Sequence, residues 1–412
     1  MLIDLRTDGL NIYFLCPFIG CFCLIGASFS SGQSKFGKYP FLENILVSVS
    51  QIFAIIPYLI SVKIKKESYM NTQKSNEKKA KDKNALFNDE IDPEQSRIKI
   101  TDAIILGFSD FFHSMILYFG NDIFKNKFKF FFMSSNILFL TILQKYILKN
   151  RIYRHQVASF IIFFALDIIY LSMIFIDDLL NFSGYILIFV SVSNLFLSFE
   201  ITYEKKILKN QYVSFYRLCV FIGIVSLIFN LIASIITTIV EFCLDNDDKY
   251  KVYLFNYKYY LEDVDDHVLV EIILIFVFVI LNGVYNILQV LTIKYLSPNH
   301  VLITYVMLAI YYSILIKFQE IEITTLTFIF SIVFHIICFF ALFIFLEIIQ
   351  LNFCGINKDY MLKNGLRSDV DKYMQSFSSN SDEHDNEIFD DKANNTNQMN
   401  DKTSELETFQ ID

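Results

Sequence analysis

The chain is poor in charge. Asp, Glu, Lys and Arg make up 19% of its 412 residues, against about 25% in a typical soluble domain. Hydrophobic residues make up 54% and mean hydropathy is +0.44. One buried core cannot absorb that excess, which points to a bilayer as solvent. Tryptophan is absent, whereas Phe reaches 45 and Tyr 24. We read this as a compositional bias, so a single Phe or Asn carries little weight. The sequence contains no Gly-rich phosphate loop, no HExxH and no GxSxG. Those absences leave no enzymatic activity and no cofactor to expect. Seven cysteines (Cys16, Cys21, Cys23, Cys219, Cys243, Cys338 and Cys354) include no CxxC pair. Cys21 and Cys23 are two apart, which does not fit a zinc ligand pair, so single buried thiols are expected and no metal site. Nothing beyond a few linker lysines favours nucleic acid. The net charge of −8 resides largely in loops and the tail.

Long apolar stretches are what the chain has in abundance. A helix needs about 20 such residues to cross a bilayer. Candidate spans lie at 11–31, 40–63, 102–121, 128–148, 155–176, 183–203, 214–242, 268–293, 299–318 and 324–351. Residues 11–31 follow Asp4, Arg6 and Asp8, so the positive region of a signal peptide is weak and a first transmembrane helix is the better reading. Residues 65–100 form an Asn/Lys-rich linker and residues 357–412 an acidic tail, both expected to be disordered. The division is therefore 1–64 with two helices, the linker, 101–356 with eight helices, and the tail. Residues 245–267 are acidic and aromatic and read as a non-cytoplasmic cap.

Basic residues set orientation. With ten spans both termini share a side with Lys65, Lys66, Lys78, Lys79, Arg151, Arg154, Lys205, Lys206 and Lys209, so cytoplasmic termini are expected. Lys125, Lys127 and Lys129 fall on the opposite side and count against this. Five plus five spans, roughly 1–178 and 179–356, is the layout of an inverted repeat. The expected fold class is all-α, a polytopic membrane protein of about ten transmembrane helices in two inverted five-helix repeats.

Polar residues inside the spans are the candidate site. Asp110 is the costliest, because an ionised carboxylate in hydrocarbon costs roughly 2.5–3.5 kcal/mol on insertion scales. His113, three residues on, shares its helix face and titrates near neutral pH. Ser191, Asn194 and Ser198 form a stripe running toward Glu200. Asn282, Asn286 and Gln289 form another at i, i+4 and i+7. Such stripes serve either as interhelical glue or as the lining of a central site. Asp167, His335 and Glu347 are further intramembrane or interfacial candidates.

Several of these segments resemble the drug/metabolite transporter superfamily, in particular its branch near nucleotide-sugar transporters and related solute carriers. Ser109 to Tyr118 resembles the Asp-bearing third span. Tyr203-Glu204-Lys205-Lys206-Ile207-Leu208-Lys209 resembles the branch's tyrosine, acidic, lysine loop. Lys294-Tyr295-Leu296-Ser297-Pro298 resembles the lead-in to the ninth span, and Leu138 to Ile152 the fourth-to-fifth hairpin. The chain departs from the branch where Phe132 stands in place of an arginine. A Gly-Glu-Gly stretch is missing around Cys219 to Gly223, and Tyr305 and Leu308 replace polar residues of the ninth span. The resemblance implies ten helices, inverted repeats and alternating access.

The expected function is secondary transport of a small organic solute of the nucleotide-sugar or metabolite class. Protons or a counter-substrate would be its co-partners and membrane lipid its surroundings. Asp110, His113, Ser191, Asn194, Asn282, Asn286 and Gln289 would line the site. An endomembrane location is favoured over the plasma membrane. Two other readings stay open. One is a non-transporting receptor or scaffold. The other is a membrane-embedded lipid enzyme, which would need His155, Asp167 and Asp178 to converge at one interface.

Overall fold

A computed structural model of the protein describes residues 3–5, 12–64, 98–123, 134–176, 185–210, 213–243, 260, 264, 268–318 and 325–351. The linker at 65–97, the tail at 357–412, the Lys125 cluster, Asp177 and Asp178, and most of the 245–267 cap lie outside them. The described chain is built from helices. A 3-10 turn at Ile12–Leu15 leads into α1 (Cys16–Gln33). Then come α2 (Pro40–Ile52), α3 (Ile100–Ile123), α4 (Ser134–Ile147) and α5 (Arg154–Ile176). After these follow α6 (Tyr185–Asn210), α7 (Phe215–Cys243), α8 (Val268–Tyr295), α9 (Val301–Phe318) and α10 (Thr325–Phe345). Helix α2 is interrupted by a turn at Phe53–Ala54 and resumes over 55–64.

Six stretches among the described residues are long and apolar enough to cross a bilayer. They are Tyr13–Gln33, Phe41–Ile64, Ile100–Leu117, Phe215–Thr237, Val268–Tyr295 and Phe328–Phe345. Side-chain placement fits the same solvent. Along α7, Ile224, Ile228, Leu231, Ile232 and Ile235 face outward, while Ser226 and Asn230 are buried. An apolar exterior around a polar interior is the pattern of a membrane bundle, in which lipid replaces water outside and polar groups pair inside.

The final helix corrects the sequence reading. The apolar run suggests a span over 324–351, but α10 stops at Phe345. The Ile348 amide donates to the Phe343 carbonyl at 3.0 Å and the Glu347 amide to Ile344 at 3.1 Å. This is the bond pair of a Schellman stop, with Glu347 (φ 61) at the left-handed position where glycine is usual. The chain then extends as a strand, Ile349–Leu351, that pairs antiparallel with Ile3–Leu5, Ile3 lying opposite Leu351. Hydropathy cannot separate these residues from a helix, because the stop is set by backbone geometry.

Helix α2 sits where α3, α7 and α8 meet. Glycine makes the close approach possible. A Cβ on Gly223 of α7 would come within 2.8 Å of the Ser48 carbonyl oxygen and the Gln51 Cβ, both on α2. A Cβ on Gly107 of α3 would meet the Val225 side chain at 2.5 Å. Polar pairs then join the touching helices: Asn44 Nδ2 donates to Asn230 Oδ1 at 2.8 Å, and Asn230 Nδ2 to Ser48 Oγ at 3.0 Å.

At the far end of α1, one carboxylate organises the turn into α2. Glu271, in the first turn of α8, accepts the backbone N–H of Lys35 at 3.1 Å and of Phe36 at 2.9 Å. The Tyr260 hydroxyl also donates to it, at 3.3 Å. Burial and the Glu271 charge push the Tyr260 hydroxyl up, so it stays protonated as a donor. Glu271→Ala would leave two amides without their acceptor, and a hydrogen bond to a charged group contributes about 1.5–3 kcal/mol. A clear fall in the thermal midpoint of the detergent-purified protein is the expected result, with Glu271→Gln intermediate. An unchanged midpoint for the alanine variant would remove this capping role.

Candidate functional site

Asp110 and His113 share a face of α3 but meet different neighbours. Asp110 is buried, and its Oδ1 accepts Gln51 Nε2 from α2 at 2.9 Å. Ser226 of α7 stands beside the same carboxylate, joined in turn by the Ser48 hydroxyl at 3.1 Å. His113 Nδ1 lies 3.1 Å from both the carbonyl oxygen and the hydroxyl of Ser193 on α6. Ser109 Oγ donates to the Phe196 carbonyl at 2.9 Å. The α3–α6 seam is thus polar along several turns.

On α6 the polar residues divide between two faces. Glu200 and Glu204 are one turn apart, both buried, and each lies within electrostatic reach of Asp110. They share the face of Ser193. Ser198 turns instead to α4, donating to Asn136 Oδ1 at 2.6 Å. Asn194 is fully buried, whereas Ser191 is only half-buried.

The α8 stripe is likewise shared out. Asn282 is buried, and its Nδ2 donates to Phe278 within its own helix at 3.3 Å. Asn286 Nδ2 donates to Ser50 Oγ of α2 at 3.3 Å. Gln289 Oε1 accepts the Tyr285 hydroxyl, which lies 2.9 Å from the Tyr305 hydroxyl of α9. Both tyrosines are buried and lie within electrostatic reach of Glu200 and Glu204. Six helices therefore send polar side chains to one centre: Gln51 from α2, Asp110 from α3, Glu200 and Glu204 from α6, Ser226 from α7, Tyr285 from α8 and Tyr305 from α9.

The acids of the centre are staggered in depth. Two contacts fix which helix ends are neighbours. Tyr203 OH donates to Asp102 Oδ1 at 2.8 Å, joining the end of α6 to the start of α3. Lys205 Nζ donates to the carbonyls of Ile293 at 2.7 Å, Lys294 at 3.0 Å and Leu296 at 3.5 Å, joining the end of α6 to the end of α8. From that shared end, Asp110 and Tyr285 each sit about ten residues in, or about 15 Å along their helices, whereas the pairing of Ser109 with Phe196, His113 with Ser193 and Asp102 with Tyr203 sets Glu200 about five residues, or about 7.5 Å, nearer that end than Asp110.

The remaining candidates are peripheral. His155 Nε2 and Glu347 Oε1 are 3.3 Å apart, tying α5 to the chain after α10. His335 Nδ1 lies 2.6 Å from the Ser331 carbonyl and 3.3 Å from the Ser313 hydroxyl. Asp167 lies beside Cys338. His155 and Asp167 stand about twelve residues apart on α5, about 18 Å, so the two are not brought together as a lipid enzyme would need. Asp178 lies outside the described residues. No group of three or more metal-capable side chains occurs among the described residues.

Gln51, Ser226, Tyr285 and Tyr305 join the site without having been among the sequence candidates. Asn44, Ser48 and Gln51 carry a legible signal, since they repeat the i, i+4, i+7 spacing of Asn282, Asn286 and Gln289. The tyrosines carry none in a chain with 24 of them.

No family model matches this sequence, and no curated protein matches it. One solved structure, described only as "Crystal structure of protein", aligns with a TM-score of 0.48 at 10% identity, over 80% of this chain and 96% of its own. A likeness at that level carries no argument.

Proposed function

We propose that the chain is a secondary transporter moving a small organic solute by alternating access, with Asp110 at the centre of its path. The observation that carries this reading is the buried polar centre to which six helices contribute. An ionisable group held about 15 Å from its helix end, as Asp110 is on α3, lies roughly half-way through a 30 Å hydrocarbon core, where such a group marks a solute or ion path by default.

The packing supports two inverted five-helix repeats, α1–α5 and α6–α10. Under a shift of five helices the neighbours exchange. Helix α1 packs on α8 and α9, as α6 packs on α3 and α4. The pairs α2–α7 and α5–α10 map onto themselves. Gly107 of α3 packs against α7 and precedes Asp110 by three residues. Gly283 of α8 packs against α2 and precedes Asn286 by three. The β-pairing of residues 3–5 with 349–351 brings both ends of the helical unit to one side, as an even number of crossings requires. On this reading α4, α5, α6 and α9 also cross, for a total of about ten, and the termini are cytoplasmic in an endomembrane.

Membership of the drug/metabolite transporter superfamily remains our proposal. Its support is that two motif segments meet in space. Lys205, in the tyrosine, acidic, lysine segment, caps the carbonyls of Ile293, Lys294 and Leu296 at the start of the second motif. Tyr203 reaches α3, and Glu204 faces the centre.

Counterflow into vesicles holding the purified full chain tests the transport reading. A panel of radiolabelled amines, amino acids, sugars and sugar nucleotides would be offered. We expect at least one solute to exchange, with protein-free vesicles giving background. Background for every class would leave the receptor or scaffold reading in its place.

A further inference from the structure

The polar centre has a sign. Asp110, Glu200 and Glu204 are each at most 5% exposed, and among the described residues no Lys or Arg is ion-paired with any of them. Lys205, on the same helix turn as Glu204, is taken up by the carbonyls at the end of α8. Three carboxyls in a low-dielectric interior repel one another when ionised, and either protons or a cation held among them neutralise that charge.

The open hydrogen-bonding positions tell the same story. Asp110 Oδ2, Glu200 Oε2, Glu204 Oε2 and Gln51 Oε1 are buried without a hydrogen-bond partner. All four are acceptors. Gln51 extends this beyond the acids, because its amide oxygen also lacks a donor. Its Nε2 is committed to Asp110, which holds the orphaned Oε1 beside the carboxylates. Leaving a buried acceptor unmatched is costly, because its lost water is not replaced. A partner with positive charge and several N–H donors meets both demands. Tyr285 and Tyr305, within electrostatic reach of Glu200 and Glu204, bring aromatic side chains near the same acids. An anionic sugar nucleotide would bring phosphate acceptors to a centre that already lacks donors.

We propose that the site takes an organic cation, a protonated amine or guanidinium bearing several N–H donors, and not an anionic sugar nucleotide. This rests on the transport reading above. Asp110 and Glu200 hold the charged head from α3 and α6. Gln51 Oε1 accepts one of its N–H groups, and Glu204 stands one turn nearer the helix ends.

The test uses the full chain in vesicles with four radiolabelled probes: putrescine, arginine, glucose and UDP-glucose. Putrescine or arginine should enter while the other two stay at background. Glu200→Gln and Glu204→Gln should each lower cation uptake about tenfold or more, as expected for loss of a charge-assisted contact. A second measurement needs no variant. An apolar carbodiimide labels buried carboxyls of the wild-type chain, read by mass spectrometry, and putrescine should slow labelling of Asp110, Glu200 and Glu204. Uptake of UDP-glucose or glucose with cations excluded overturns the inference and leaves the transport reading standing. Protection by putrescine without uptake of any probe sustains the charge selectivity and sinks the transport reading. Carboxylate-dependent proton flux with no cation uptake and no protection overturns the inference, as does the absence of both uptake and protection.

Discussion

Asp110→Asn should abolish solute uptake while leaving the protein as stable as before, or more so. The substitution keeps the shape of the side chain and the oxygen that accepts Gln51 Nε2 at 2.9 Å. It removes a buried charge, and an ion in the interior carries a desolvation penalty of several kcal/mol. It also puts an N–H donor in place of Asp110 Oδ2, an acceptor without a partner. Folding therefore loses nothing. Transport loses the charge: a hydrogen bond to a charged group is worth about 1.5–3 kcal/mol, equivalent to about 10- to 150-fold. Thermal unfolding in detergent and uptake of the identified solute should move in opposite directions. Full uptake by the variant would remove Asp110 from the mechanism, and a collapse of both readouts would make it a structural group.

Gly223→Leu should unfold the bundle at its centre. The β carbon alone would sit 2.8 Å from a backbone oxygen and a side-chain carbon of α2, and 3.0 Å from the Ile52 amide nitrogen. Backbone atoms cannot step aside as a flexible side chain can, so α2 and α7 must separate. Overpacking a tight interior costs about 1–3 kcal/mol, occasionally more. Separation would also break the Asn44–Asn230 and Asn230–Ser48 hydrogen bonds. The expected readout is loss of the monodisperse peak on size exclusion, or a large fall in thermal midpoint. Gly32→Leu is the control, since a Cβ there meets nothing within 4 Å. Equal behaviour of the two variants would show that the α2–α7 approach is not tight.

The sequence was informative where the physics is local. Apolar length and scarcity of charge fix the solvent of a helix residue by residue, so the helices over Ile100–Ile123 and Val268–Tyr295 fall close to the spans drawn from hydropathy. Asp110 stood out for the same reason, because the cost of a carboxylate in hydrocarbon does not depend on its partner. Local reasoning failed at residues 346–351, where a backbone stop and a strand pairing with residues 3–5 replace the last turns of an apolar run.

What surrounds Asp110 was settled only by tertiary structure. Glu200 and Glu204 look interfacial in a list of residues, yet the phase of α6 turns them inward beneath Asp110 while Ser198 turns to α4. Tyr203, Glu204 and Lys205 are consecutive but point to α3, the centre and the end of α8 in turn. A helix pattern gives the angle between such side chains and not the neighbour each one meets. The sequence by itself determined a helical membrane protein with one costly carboxylate. Packing decided that this carboxylate is one of three, because only the meeting of six helices turns acids distant in sequence into one buried polar region.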